Sequence, residues 1–217
     1  MQQVGLLGGT FDPVHVGHLE LGRLALQKCQ LTKVVFIPSA SPPHKLRCCI
    51  TAFHHRVAML RLAVAEESRF QVSEIEAQLR PPSYTIDTLT LLLGKETTQT
   101  EYYFIIGSDA FFDIQLWHEY RQVLAKVHVI IAARQGILQS ELQDFIRSLG
   151  YKGQGDHWHN IHNGRKIILL NREVAPASSS AIRKDIRHDA SISQDVPLTV
   201  QQYIRKHKLY SREKSNR

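Results

Sequence analysis

Two histidines three residues apart, His15 and His18, close the stretch GGTFDPVHVGH, which follows the short apolar run VGLLG. Imidazoles can donate hydrogen bonds to phosphate oxygens or ligate a metal. The next segment, LELGRLALQKC, has helical spacing, so the pair sits at a helix start. Side chains three apart share one face of the first turn. The first N–H groups of a helix lack intrahelical partners and suit an anion. A metal would need a third ligand, which this spacing does not offer, and thiolates are absent nearby. Gly8 and Gly9 are expected to let the backbone turn sharply and approach a ligand without a Cβ in the way. Gly17 removes bulk between the imidazoles. Together these residues are suited to holding a polyphosphate.

Other residues extend that chemistry. Lys45, in PPHK, supplies a loop cation. Ser178, Ser179, Ser180 and Arg183 open a helix after the apolar run KIILLN; such a start can cap its helix and bind phosphate with the same N–H groups. Thr85 brings a hydroxyl and an N–H to another helix start, suited to a carboxylate. His157, His159 and His162 lie in a Gly- and Asn-rich stretch. They are expected at the surface or near the substrate, not on a metal.

The elements that must position these groups alternate along the chain. Strands are expected at 4–8, 33–38, 70–74, 101–107, 127–133 and 166–171. Helices are expected near 15–29, 52–67, 85–95, 118–126, 139–149, 180–188 and 197–207. Near-continuous apolar strands between amphipathic helices predict a Rossmann-like α/β fold. It has a doubly wound parallel sheet, helices on both faces and a helical C-terminal segment. In such sheets ligands bind beyond the carboxyl ends of the strands. Thr51 is positioned to cap the helix carrying Val57, Leu60, Ala63 and Val64. Pro-rich 39–48 and 78–85 are expected as loops, and 150–164 also breaks the pattern.

At 217 residues the chain suits one domain, expected over 1–210 with a basic, disordered tail at 211–217. No apolar run approaches a membrane span of about 20 residues, and no secretory signal opens the chain. Three cysteines, two of them adjacent, make no disulfide framework and suit a reducing cytoplasm. The net charge of +7 is concentrated at the end: from Tyr203 onward six Lys or Arg face one Glu. That distribution predicts a solvated tail, with neither nucleic acid nor membrane as partner. A monomer or small homo-oligomer is expected.

GGTFDPVHVGHL resembles the N-terminal signature of the nucleotidyltransferase superfamily that carries HxGH. PSASPPHK (38–45), PSYTIDTL (82–89), IIGSDAFFDIQLWHEY (105–120), IIAARQG (130–136) and SSSAIR (178–183) are similar, in order and spacing, to bacterial nicotinate-nucleotide adenylyltransferases. The resemblance runs from residue 1 to about 210. It implies adenylyl transfer from ATP to nicotinate mononucleotide, with Mg²⁺ carried on the ATP phosphates. It assigns His15, His18, Lys45 and Arg183 to catalysis. Gly8, Gly9, Thr10, Phe11, Gly107, Asp109, Ser179 and Ser180 join His15, His18 and Arg183 around ATP. Lys45, Tyr84, Thr85, Trp117 and Arg134 fall around the mononucleotide, with Trp117 stacked on the pyridine ring. The family usually reads Ser-Ser-Thr where this chain has Ser180, which keeps the hydroxyl. The alternatives are a nicotinamide-mononucleotide or dual-specificity adenylyltransferase, or a non-catalytic nucleotide- or RNA-binding protein that uses the basic tail.

Overall fold

Side chains on successive strand residues point to opposite faces, and this chain uses that period to build two cores. On β4 (Thr100–Gly107), Tyr103 and Ile105 enter one core, and Tyr102, Phe104 and Ile106 the other. The computed structural model describes residues 1–42, 50–94, 99–133, 138–170 and 177–211. Among these, eight strands form one sheet in the order β3-β2-β1-β4-β5-β8-β7-β6. The remaining strands are β1 (Gln2–Gly9), β2 (Lys33–Pro38), β3 (Phe70–Val72), β5 (His128–Ala132), β6 (Tyr151–Gln154), β7 (His157–Asn160) and β8 (Lys166–Leu170).

Helices cover both faces. α1 (Val16–Lys28), α2 (Phe53–Val64), α7 (Ser179–Arg187) and α8 (Leu198–Lys206) contribute to the first core, through Leu24, Leu60, Ile182 and Ile204 among others. α3 (Thr85–Gly94), α4 (Ser108–Phe112), α5 (Tyr120–Lys126) and α6 (Gln139–Ser148) contribute to the second, through Leu89, Phe111, Val123 and Ile146. This is the doubly wound arrangement expected. No helix among the described residues is long and apolar enough to cross a membrane.

The chain runs outward from β1 through β2 to β3. It then returns by α3 to lay β4 on the other side of β1. In sheets of this kind such a reversal is where a ligand crevice opens, beyond the carboxyl ends here of β1 and β4.

The sheet departs from the all-parallel expectation at one edge. β8 pairs antiparallel with β7, and β7 with β6. The stretch 150–164 is therefore largely a hairpin. Its inward residues are Tyr151 and Trp158, both buried, while His157 and His159 face outward. Strands of four residues dominated by Lys, Gly, Gln, His and Asn hide a period of two. Gly153 is required there, because a Cβ would lie 2.2 Å from the His157 carbonyl oxygen.

Candidate active site

Strand register brings the sequence motifs to one line. Gly9 pairs with Pro38, Gly107 with Ala132, and Ala132 with Leu170. Leu7 pairs with Ile105, two residues before Gly9 and Gly107 respectively. The five central strand exits thus end level; the motifs after β1, β2 and β4 continue directly from their strands, while SSSAIR begins eight residues after β8.

The first exit does not turn where the sequence suggests. Gly8 and Gly9 are the last residues of β1 and keep its pairing. The turn falls at Phe11, whose φ of 51° is left-handed. Gly9 serves instead as a bare surface: a Cβ there would meet the Phe11 ring at 3.1 Å. Phe11 is buried and sets its ring edge-on to His18, 4.9 Å between centroids.

His15 is the N-cap of α1, and its ring stacks on His18 at 3.7 Å. The His15 backbone N–H donates to Nδ1 of His18 (3.3 Å). A nitrogen that accepts carries no proton, so a neutral His18 ring holds its proton on Nε2. The motif therefore presents an oriented N–H donor beside the N-terminus of a 13-residue helix.

Asp12, assigned no role from sequence, is the buried joint of this loop. It accepts from the Thr51 backbone N–H (3.3 Å) and from the Tyr210 hydroxyl (2.6 Å). Burial and the Asp12 hydrogen bond push the Tyr210 phenol well above its ordinary range. Arg56 is equally buried, on the apolar face of α2 beside Val57 and Leu60. Its guanidinium donates to the carbonyls of Thr51, Thr10 and Ser39, each at 2.8 Å. Burial lowers its pKa, against the raising influence of Asp12, Tyr210 and Glu76. The N-cap of α2 is Ala52. Thr51, expected as a side-chain cap, instead receives Arg56 through its carbonyl and serves Asp12 through its N–H.

The serine-rich helix start reaches the same turn. Ser179 donates to the Pro13 carbonyl (2.9 Å), and Arg183 donates to the Asp12 carbonyl (2.7 Å). A second nitrogen of Arg183 meets Ser180 Oγ at 3.2 Å. The N-cap of α7 is Ser178, which makes no side-chain cap bond. Side-chain capping by Ser178 is absent, and Ser179 bonds the neighbouring loop. Two helix N-termini, two imidazoles and two guanidinia, Arg56 and Arg183, are thus tied to the segment 10–18.

The other end of the crevice is aromatic. Tyr84 precedes α3 and sits 4.5 Å from the His118 ring. Trp117 is half-buried, with its ring edge-on to Phe104 at 6.0 Å. Thr85 is the first residue of α3. Gly107 is the N-cap of α4, and Asp109 lies exposed in its first turn. Lys45 and Arg134 lie outside the described residues, as does 212–217 of the tail.

Sequence reading missed Asp12, Arg56, Tyr210 and His118. A usable signal existed for Arg56, a charge on an apolar helical stripe. For Tyr210, near the end of the chain, there was none.

A family model described as cytidylyltransferase-like matches residues 6–185. The chain belongs to the cytidylyltransferase-like family. Within this cytidylyltransferase-like family its relatives run the full length. It is 38% identical over 214 residues to a probable nicotinate-nucleotide adenylyltransferase of Desulfotalea psychrophila, covering 97% of this chain and 100% of that one. It is 39% identical over 217 residues to the protein of that name from Trichormus variabilis, covering 97% and 98%. Among solved structures, it is similar to Plasmodium falciparum nicotinic acid mononucleotide adenylyltransferase complexed with NaAD. The TM-score is 0.75 at 19% identity, over 97% of this chain and 98% of that one. This last likeness establishes the shared fold.

Proposed function

We propose that the protein transfers the adenylyl group of ATP to nicotinate mononucleotide, yielding nicotinate adenine dinucleotide and pyrophosphate in NAD biosynthesis. The observation that carries this reading is full-length similarity, at 38% and 39% identity, to relatives of that name. The convergence of His15, His18 and Arg183 supports it.

The nucleophile is the mononucleotide phosphate. Its second pKa is about 6, so it is largely a dianion at neutral pH and needs no general base. One of its oxygens forms a bond to the ATP α-phosphorus. The bond from that phosphorus to the bridging oxygen breaks, and pyrophosphate leaves with the electron pair. The protein must hold two polyanions in line and stabilise charge that grows on the transferring and leaving groups. In this reading His18 Nε2–H, His15 and the N-terminus of α1 meet the polyphosphate. Arg183 and Ser180 meet the leaving end, with Lys45 supplying a further cation. Asp109 and Gly107 border the ribose and adenylate, and Arg134 helps hold the mononucleotide.

Among the described residues no three His, Cys, Asp or Glu could hold a metal together. The donors at the crevice are N–H groups and a guanidinium, which fit phosphate oxygens. Magnesium would instead enter with the nucleotide, held by its phosphates and water. When bound, that ion would neutralise polyphosphate charge.

At the pyridine end, the N-terminus of α3 with Thr85 favours a carboxylate over an amide, and Trp117 offers a ring face common to both. An amide NH₂ turned toward N–H donors leaves them unpaired, at about 1–3 kcal/mol each. The test is pyrophosphate release from ATP with nicotinate mononucleotide, nicotinamide mononucleotide and phosphopantetheine. Turnover should be fastest with the first, by roughly tenfold or more over the second. Equal efficiency on the two mononucleotides would overturn acid specificity. Absence of turnover with either would overturn the function.

A further inference from the structure

Asp12 and Glu76 are the buried carboxylates among the described residues. Asp12 anchors the loop between β1 and α1, termed the phosphate loop; Glu76 lies apart from it. It sits on a 3₁₀ turn, Ile75–Gln78, between β3 and α3. A buried carboxylate is costly unless donors surround it, and here they do. Oε2 accepts from Ser83 Oγ (2.6 Å), the Ala40 N–H (3.0 Å) and Ser39 Oγ (3.2 Å). Thr88 Oγ1 lies 3.1 Å from Oε1 and 3.2 Å from the Tyr84 carbonyl oxygen, so it shares one proton between them.

These donors come from two separate places. Ser39 and Ala40 leave β2; Ser83 and Thr88 flank the start of α3, on either side of Tyr84 and Thr85. The two segments are also joined directly. The Ser83 N–H donates to the Ser41 carbonyl (3.0 Å), and the Ser41 N–H to Ser83 Oγ (3.2 Å). On its other side the Ser39 carbonyl accepts from Arg56, which also holds Thr10. A continuous polar chain therefore runs from the phosphate loop through Arg56, Ser39 and Glu76 to the helix start beneath the pyridine end.

We infer that Glu76 is a positioning residue for the mononucleotide, holding the N-terminus of α3 in register with the phosphate loop. The inference rests on the proposed function, because that reading places the pyridine at Tyr84 and Thr85. A carboxylate suits the task because one rigid fork can accept from four donors on two segments. A misplacement of about 1 Å at a reacting pair can cost on the order of 10²-fold, so anchoring this helix end matters to the bound substrate.

The test compares Glu76→Ala, Glu76→Gln and Ser83→Ala with the wild type. Each substrate is varied in steady-state kinetics, and nicotinate mononucleotide binding is measured by calorimetry. Glu76→Ala should raise the mononucleotide KM and Kd about tenfold or more, the scale of one charged hydrogen bond lost, with the ATP KM within about twofold. Glu76→Gln should recover most of this. Its carbonyl oxygen keeps the three donors on the Oε2 side, and its NH₂ meets Thr88 Oγ1, whose proton then goes wholly to Tyr84. Ser83→Ala should shift the same constants in the same direction by less, and it supplies the comparison should Glu76→Ala not fold. Equal rises in both KM values, or an unchanged mononucleotide Kd in the folded Ala variants, would overturn the inference. A wild type that fails to bind nicotinate mononucleotide would overturn the proposed function instead.

Discussion

A phosphate oxygen meets a donor only if the imidazole proton is on the outward nitrogen, and the His15 backbone N–H settles this for His18 by occupying Nδ1. The stacked His15 ring and the edge-on Phe11 ring leave His18 little freedom to turn. A donor held in advance is worth more in the transition state than one recruited on binding. His18→Ala should therefore lower kcat by roughly 10²–10³, the scale for one preorganised donor, while the mononucleotide Kd changes little. Near-normal kcat in this variant would count against the role of His18. Arg183 is anchored by its bonds to the Asp12 carbonyl and Ser180. Arg183→Ala should reduce kcat/KM for ATP by about 10- to 100-fold, as expected for a hydrogen bond to a charged group. Arg183→Lys should recover only part, because the planar fork is lost. Steady-state kinetics with ATP varied check both, and full activity in Arg183→Ala would leave the α7 start with no part in catalysis.

The ends of β1, β2, β4, β5 and β8 lie level, so the elements decide along which line the chain leaves the sheet and where chemistry can occur. The opposite ends of the strands carry a different feature. His128 opens β5, buried, with Nδ1 accepting the Lys166 N–H (2.9 Å) and Nε2 3.5 Å from Glu101. Tyr103 packs against its ring at 4.7 Å. Burial lowers its pKa, helped by Arg165 and Lys166 and opposed by Glu101. As pH falls through about 6.5, the unfolded chain takes up this proton before the folded one does. His128 thus favours the fold fully above that pH, and stability declines as pH drops from there toward the lowered folded value. Urea midpoints should decrease from pH 7 to pH 5, and less so in His128→Asn, which keeps an acceptor but does not titrate. An equal decrease in both proteins would remove His128 as the cause.

Across the whole molecule, the loop between β1 and α1 is held by segments remote in the chain. Arg183 reaches Asp12 across 171 positions and Tyr210 reaches it across 198. The Val16 N–H also donates to the Asp195 carbonyl (2.8 Å). The C-terminal helices therefore close over the first core and brace the first loop. Tyr210→Phe keeps the ring and removes one hydrogen bond to a buried carboxylate. It should cost about 1–3 kcal/mol of stability, read from urea unfolding. It should also lower kcat, because Asp12 lies in the loop that leads to His15 and to His18 on the first turn of α1. Unchanged stability would mean that Asp12 finds another donor.

The fold class was legible because strand and helix periods are written in the order of apolar residues, as in KVVFIP against FHHRVAMLRLAV. The His15–His18 pair and the SSSAIR helix start were legible because their chemistry depends on local spacing at a helix N-terminus. The hairpin over 151–160 was not, because four-residue strands with one inward residue each, Tyr151 and Trp158, carry too short a period to read. The turn at Phe11 was not either, since two preceding glycines offered an easier bend that strand pairing overrode. Asp12, Arg56, Glu76 and Tyr210 act only through partners distant in the chain. A carboxylate becomes a hub, or an arginine a clamp, only when folding removes water and brings remote carbonyls and hydroxyls within 3 Å or so of it. Local order of residues determined which groups have chemistry suited to phosphate; packing alone decided which buried charges hold them in place.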